Sequence, residues 1–189
     1  MASELPVLES KRLMLREITE QDIDDMFEYA QLPIVGPIAG WEPHRHKTDT
    51  KMVIQMFKDK KKYGQLGVYA IILKEKNKMI GTAELHSYIR GFKAELGYTI
   101  SPKYWGKGYA AEASFLLLKY GFFQLGLKRI EAGMFVTNKQ SIRVCEKLQM
   151  VFEGIRKNGY QLYDGSIHDM ASYALTDQEF FDLYYGIVK

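Results

Sequence analysis

The chain has one cysteine among its 189 residues. No intrachain disulfide can form, which fits a reducing compartment. No apolar run approaches the length needed to cross a bilayer, and the opening Met1-Ala2-Ser3-Glu4-Leu5-Pro6 has no apolar signal region. Charge of one sign is scarce as well. The 26 Lys and Arg against 23 Asp and Glu leave +3 at neutral pH, too little to argue for a nucleic-acid surface. There is no internal repeat, low-complexity segment or linker. These absences lead us to expect one cytoplasmic domain over residues 1–189, monomeric or homodimeric, with no nucleic-acid partner, no membrane partner and no metal.

What is present is globular material. Hydrophobic residues make up 47% and charged residues 26%, enough to bury a sizeable core. Arg12 to Ile18 alternates like a strand. Thr19 then caps a helix running to about Gln31, before Pro33. A loop follows, and Thr48 starts a second helix to about Lys62, with Met52, Val53, Met56 and Phe57 at helical spacing. Strands are predicted at Gly67–Leu73, Met79–Ser87 and Phe92–Ile100. A helix from Lys107 to about Leu125 is apolar nearly all round, which marks it as deeply buried. Lys128–Val136 reads as a strand and Ser141–Leu148 as a helix. Val151–Tyr160 and Ser166–Leu175 form a hairpin about Asp164-Gly165, and Thr176 caps a short final helix. The order is that of a single α+β domain around a mixed central sheet.

The most informative stretch is Trp105-Gly106-Lys107-Gly108-Tyr109-Ala110-Ala111-Glu112-Ala113. It follows a strand and opens a helix. Two glycines at such a turn leave backbone N–H groups uncovered, and the helix N-terminus adds partial positive charge. The site suits a phosphate or pyrophosphate. Gly106-x-Gly108-x-x-Ala111 nominally meets the dinucleotide fingerprint, which also needs an acid at the carboxyl end of the next strand. The only acid there, Glu131, lies at the strand's beginning. Ser101-Pro102-Lys103-Tyr104 separates strand from glycines where a tight turn is required, and too little chain follows for a doubly wound sheet. The other reading is an acyl-CoA pyrophosphate loop.

Here the chain resembles the GNAT acetyltransferase superfamily, and within it the RimJ/RimL-like branch that acetylates protein N-termini. Glu95-Leu96-Gly97-Tyr98-Thr99-Ile100-Ser101-Pro102 resembles the family's fourth strand, and Trp105 to Ala110 its pyrophosphate loop. Trp105 stands where the superfamily has Gln or Arg, a departure common in this branch. Asn138-x-x-Ser141 and Glu146-Lys147-Leu148-x-Met150 resemble the segment after the fifth strand. Lys11-Arg12-Leu13-x-Leu15-Arg16 resembles the first strand. The resemblance covers roughly Leu8 to Thr176 and implies a fold whose fourth and fifth strands splay apart. The acyl-pantetheine arm of acetyl-CoA then lies in the gap and pairs with Tyr98-Thr99-Ile100. Gly106, Lys107, Gly108, Tyr109, Ala110 and Ala111 hold the pyrophosphate, and Asn138 and Ser141 face the arm. An open strand edge offers unsatisfied N–H and C=O groups to an amide-rich ligand, and Pro102 ends the pairing. Asn138 also reads as a helix cap.

Acyl transfer to an amine needs a general base, N–H donors for the developing oxyanion and often a general acid. Glu84, Glu95, His86 and His44 are the base candidates. Glu95 is favoured, because it begins the strand flanking the thioester and some family members place a catalytic glutamate on that strand. It also reads as an acid on the solvent face of an alternating strand, and Glu84 as a surface acid. Where many family members carry a tyrosine general acid, this chain has Cys145, which reads as a small buried helix residue. Ser141 could reach the leaving sulfur or simply cap the helix. On the acceptor side, Trp41 and His44 lie in a loop rich in aromatic and charged groups, and Tyr160 flanks the final hairpin. Each also has a packing role open to it. Lys58-Asp59-Lys60-Lys61-Lys62 reads as a solvated helix end. The acceptor that the resemblance implies is a protein or peptide N-terminus, such as that of a ribosomal protein; the alternative is a small-molecule or antibiotic amine. A non-catalytic acyl-CoA-binding module is the reading of a different class.

Overall fold

Eight strands form one sheet in the order β1-β2-β3-β4-β5-β6-β8-β7. They are β1 Leu8–Glu9, β2 Leu13–Glu17, β3 Val68–Leu73, β4 Lys78–Ile89, β5 Lys93–Ile100, β6 Arg129–Phe135, β7 Val151–Gln161 and β8 Ile167–Thr176. The helices are α1 Ile23–Ala30, α2 Gly36–Ala39, α3 Lys47–Asp59, α4 Tyr109–Lys119, α5 Lys139–Lys147 and α6 Asp177–Tyr184. The structure is a computed structural model that describes residues 5–184. Most of the leader segment considered above, residues 1–4, lies outside it. Among the described residues, no helix is long and apolar enough to cross a membrane.

The sheet carries a core on each face. Leu13, Leu15, Ile71, Leu85 and Ile130 pack with Leu117 of α4 and Phe180 of α6 on one side. Ile18, Ala70, Ile72 and Met79 pack with Met26 and Tyr29 of α1 and Ile54 of α3 on the other. The unbroken apolar run of β3 follows, since a strand covered on both faces has no solvent-facing positions.

Several boundaries differ from expectation, each for a local reason. α4 begins at Tyr109 and not Lys107, because Gly108 adopts a left-handed φ of 80° and caps the helix from outside. Its far end widens into a π-helical turn over Tyr120–Gln124. α3 starts behind His46 and not at Thr48, with the Asp49 carboxylate accepting the backbone N–H groups of Arg45 and His46 at 2.8 and 3.0 Å. α5 starts behind Asn138 and not at Ser141. Thr19 caps a short 3₁₀ turn that leads into α1. The short β1 and the four-residue α2 carry too little pattern to be read locally. The lysines after α3 are not simply solvated, since Lys60 pairs with Glu84 and Lys61 with Glu17.

α1 is fixed by a buried carboxylate. Asp22, 3% exposed, accepts both guanidinium nitrogens of Arg16 at 2.8 and 2.7 Å and the Thr19 N–H at 2.8 Å. Two parallel charged hydrogen bonds set an angle as well as a distance. They lock α1 against β2, which brings Met26 and Tyr29 to the wall of the cleft described below.

All neighbouring strands are antiparallel except β5 and β6. Their parallel ladder joins Lys93 to Arg129, Ala94 to Ile130 and Glu95 to Glu131, and then stops. Beyond it β5 stays with β4 as far as Ile100, while β6 stays with β8 as far as Phe135. The splay implied by the resemblance is therefore present, and it opens the sheet between its two halves.

Replacing Asp22 with Ala should leave Arg16 without its partner and cost roughly 2–4 kcal/mol. Urea unfolding measures it, and a loss below about 0.5 kcal/mol, the size of ordinary surface changes, would show that α1 is held by apolar packing alone.

Candidate active site

The splay opens into a cleft of about 1040 Å³ that runs from one face of the sheet to the other. A Cβ built on Gly81 of β4 would sit 2.1 Å from the Thr99 carbonyl oxygen, so that carbonyl points toward β4. Backbone groups of successive strand residues point to opposite sides. Tyr98 and Ile100 therefore present theirs to the gap, and Thr99, expected to pair there too, belongs to the β4 ladder. The Ile100 carbonyl is occupied by the Trp105 indole N–H at 2.7 Å. The Tyr98 N–H and C=O and the Ile100 N–H remain for an amide-bearing ligand.

The glycine loop stands at one mouth. Gly106 and Gly108 have φ of 75° and 80°, which other residues adopt only under strain. Apart from its own residue and its chain neighbours, no heavy atom lies within 4 Å of a Cβ at Gly106. The N–H groups of Tyr109, Ala110 and Ala111 open α4, where a helix leaves donors free and positive. The Lys107 side chain is exposed and lies 5.6 Å over the Tyr104 ring, outside the cleft lining. The loop is stapled to the first strands by a residue read above only as part of a strand. Arg12 donates to the Lys107 carbonyl at 3.0 Å and to Glu112 at 2.7 Å, and lies 4.5 Å over the Tyr109 ring. An acid such as Glu112 in the first turn of a buried helix was the available hint of a cation nearby.

α5 forms the adjoining wall. The Asn138 side-chain oxygen accepts the Ser141 N–H at 3.1 Å, and its amide nitrogen reaches the Ile38 carbonyl at 3.4 Å. Asn138 thus caps the helix and also lines the cleft. The Ser141 hydroxyl lies beside the buried Tyr98 phenol, drawing its pKa down against a larger upward push from burial. Cys145 is 2% exposed, and burial pushes its thiol up to about 12. A thiol held up in this way is a poor nucleophile.

The opposite mouth carries the acids and histidines. Glu84, His86, Glu95 and Gly97 share one face of the β4–β5 pair, with His86 directly across from Glu95. Glu84 is neutralised by Lys60. Among the described residues no hydrogen bond or ion pair engages Glu95. Its Oε1 lies 2.9 Å from the Cβ position of Gly133, and Nη2 of Arg156 lies 3.1 Å from the same point. Only a glycine at 133 leaves room for both. Of the two strand acids, the one favoured above is the one without an ion pair among the described residues. Arg156 was missed because it sits on β7 and arrives over β6 only by crossing β8.

Trp41 packs its ring on Gly36 and is half-buried against the α1–α3 core, as well as lining the cleft. Tyr160 donates to the Gly40 carbonyl at 3.0 Å and packs on Phe135, tying β7 to the α2 loop over the cleft. His44 lies 5.3 Å from Trp41, with Nδ1 at 2.8 Å from the hydroxyl of the fully buried Thr50. Burial lowers its pKa below the ordinary 6.5, against a smaller upward pull from Asp49.

A depressed folded pKa means that the unfolded chain binds the extra proton more readily. Stability contributed by neutral His44 is complete above the unfolded value of about 6.5 and is lost as pH falls. The His44 ring should therefore titrate below 6.5 in an NMR series, and His44→Gln should flatten stability against pH between about 7 and 5. A ring titrating at or above 6.5 would show the site to be open to water.

Residues 12–151 match the acetyltransferase (GNAT) domain. An uncharacterized N-acetyltransferase, p20 of Bacillus licheniformis, is 32% identical over 93% of this chain and 99% of its own. The ribosomal protein uS5 alanine N-acetyltransferase of Escherichia coli is 28% identical over 89% of this chain and 90% of its own. A GNAT-family acetyltransferase structure from Bacillus anthracis superposes with TM-score 0.82 at 28% identity, covering 92% of this chain and all of that one. RimL, a ribosomal L7/L12 alpha-N-protein acetyltransferase solved in complex with coenzyme A, superposes with TM-score 0.80 at 18% identity, covering 92% of this chain and 99% of that one. The splayed sheet, the glycine loop at its mouth and this match across most of the chain place the protein in the GNAT family, as an acyl-CoA-dependent N-acetyltransferase.

Proposed function

We propose that this enzyme acetylates the amino terminus of a protein or peptide. The carrying observation is the cleft itself. It joins a glycine-lined helix N-terminus on one face of the sheet to a carboxylate on the other that has no hydrogen bond or ion pair among the described residues. The E. coli relative is named for acting on the alanine of a ribosomal protein, and RimL for an alpha-amino acceptor, which supports an acceptor of that class. The free state of Glu95 favours transfer over a module that only binds acyl-CoA.

Acetyl-CoA supplies an acetyl group activated as a thioester. The residues present suit its chemistry: helix N–H donors for a pyrophosphate, free strand-edge groups for amides and an apolar wall from α5. Gly106 to Ala111 hold the phosphates through backbone N–H groups and the α4 dipole. Tyr98 and the Ile100 N–H pair with the pantetheine amides, and Asn138 and Ser141 border that arm. Glu95 accepts the proton of the incoming amine, directly or through one water. An α-amino group has an ordinary pKa of about 7.7–8.0 against 10.4 for lysine, so a carboxylate has a smaller task with an N-terminus. Glu84, held by Lys60, shapes the groove and is not free to take a proton.

An acetyl-CoA titration followed by thiol release across a panel of peptide and small-molecule amines tests the reading. Binding without release from any acceptor would leave only the binding module. Gly108→Val should weaken CoA on the order of tenfold or more by calorimetry while the fold survives, through the strained φ and the blocked approach. Unchanged affinity would remove the loop from the cofactor site. Glu95→Gln keeps the shape and removes the base, so kcat should fall by roughly 10²-fold with CoA affinity little changed, and the fall should shrink at high pH. A wild-type pH–rate profile would transfer the role to another group.

A further inference from the structure

Arg143 and Lys147 of α5 and Arg156 of β7 line the cleft, and among the described residues none of the three has an ion pair; Arg156 is the one that meets Glu95. Lys60 is neutralised by Glu84 and Arg45 by Glu42. Arg156 is different. Among the described residues it has no side-chain hydrogen bond and no ion pair, although its guanidinium lies over Gly133 next to the equally unpaired Glu95. Its backbone is fixed, because Arg156 pairs with Met170 and the ladder then breaks into a bulge through to Tyr160. That bulge carries Asn158 at a positive φ of 51°, held by its N–H donating to Asp169 at 2.8 Å. A bulge re-aims neighbouring side chains. Here one projects across two strands into the groove.

An unpaired carboxylate and an unpaired guanidinium side by side match a ligand with the reverse pair. The carboxylate suits an amine. The guanidinium, with its fork of donors, suits a carboxylate or carbonyl oxygen. A gap too wide for the two to bond each other suits two groups of one small unit. We propose that Arg156 positions the acceptor by taking an oxygen of the carbonyl or carboxylate group attached to the amine-bearing carbon, while Glu95 faces the amine itself. This rests on the transfer reading above and adds the feature by which an acceptor is selected. A free amino acid offers that oxygen as a carboxylate and a peptide N-terminus as its first carbonyl. An amine without such an oxygen leaves Arg156 unused. Arg156 acts on position, not on bond breaking, so its effect belongs in KM.

The test measures thiol release from acetyl-CoA with alanine, alaninamide and ethylamine, for the wild type and Arg156→Met. Comparing variant with wild type on each acceptor cancels their different basicities. The variant should raise KM about tenfold, or 1.4 kcal/mol, for whichever of alanine and alaninamide the wild type uses. Its kcat, its CoA affinity by calorimetry and its Tm should stay near wild type, and ethylamine should be unaffected. Arg156→Lys should recover part of the loss for alanine and less for alaninamide. Equal losses on all three acceptors would mean that Arg156 merely tunes Glu95, and no loss on any would remove it from the site. Either result overturns the assignment. So does a wild type that binds acetyl-CoA and acetylates ethylamine but neither alanine nor alaninamide. A wild type that fails to bind acetyl-CoA would instead sink the transfer reading, and this assignment with it.

Discussion

A parallel ladder that ends after its third residue pair is the constraint on which this molecule turns. If β5 and β6 stayed paired, the sheet would be a continuous wall, and the glycine loop and the carboxylates would lie on separate surfaces. Because each strand keeps its outer partner, β4 or β8, the break costs only the backbone pairing between them. The groups it frees are held at fixed spacing along a strand edge, where an amide-bearing ligand can satisfy them. The Trp105 indole then covers the Ile100 carbonyl and limits how far such pairing can run.

The charges around the opening divide the acids by role. Glu84 and Glu131 are both neutralised by neighbours, Lys60 for the first and Lys93 with Arg129 for the second. Glu112 is spent on Arg12, which staples the helix that presents the loop. Glu95 lies among these paired acids with no hydrogen bond or ion pair among the described residues. The Arg156 guanidinium lies beside it without bonding to it, so both groups stay available to a ligand. Closure comes from the other direction through Tyr160 and the α2 loop, with the ring of His44 on Trp41 and Thr50.

Much of the fold was legible because its signals are local. The alternation of β2, the doubly covered run of β3 and the Asp164-Gly165 turn, with Gly165 at φ 84°, each declare themselves within a few residues. The same holds for Thr176, whose hydroxyl and N–H both donate to Glu179 at the head of α6. The start of α3 was read one residue late because its cap, His46, is an unusual one, and that of α5 two residues late because Ser141 lies within reach of the true cap, Asn138. The solvated reading of Lys60 failed for another reason. Its partner lies on β4, 24 residues away, and no pattern within the helix reveals it.

By itself, the sequence determined the order of the longer elements, the glycine turn at the head of α4 and the residue types from which the site is built. Backbone propensity, periodicity and capping act over one or two turns, and those are written in consecutive residues. Only the tertiary structure decided which acid stays free, that Thr99 turns away from the gap while Tyr98 faces it, and that Arg12 and Arg156 reach the loop and the groove. Those outcomes depend on strand order and on where one ladder ends. Such pairings join residues far apart in the chain, and they are chosen by the packing of the whole sheet.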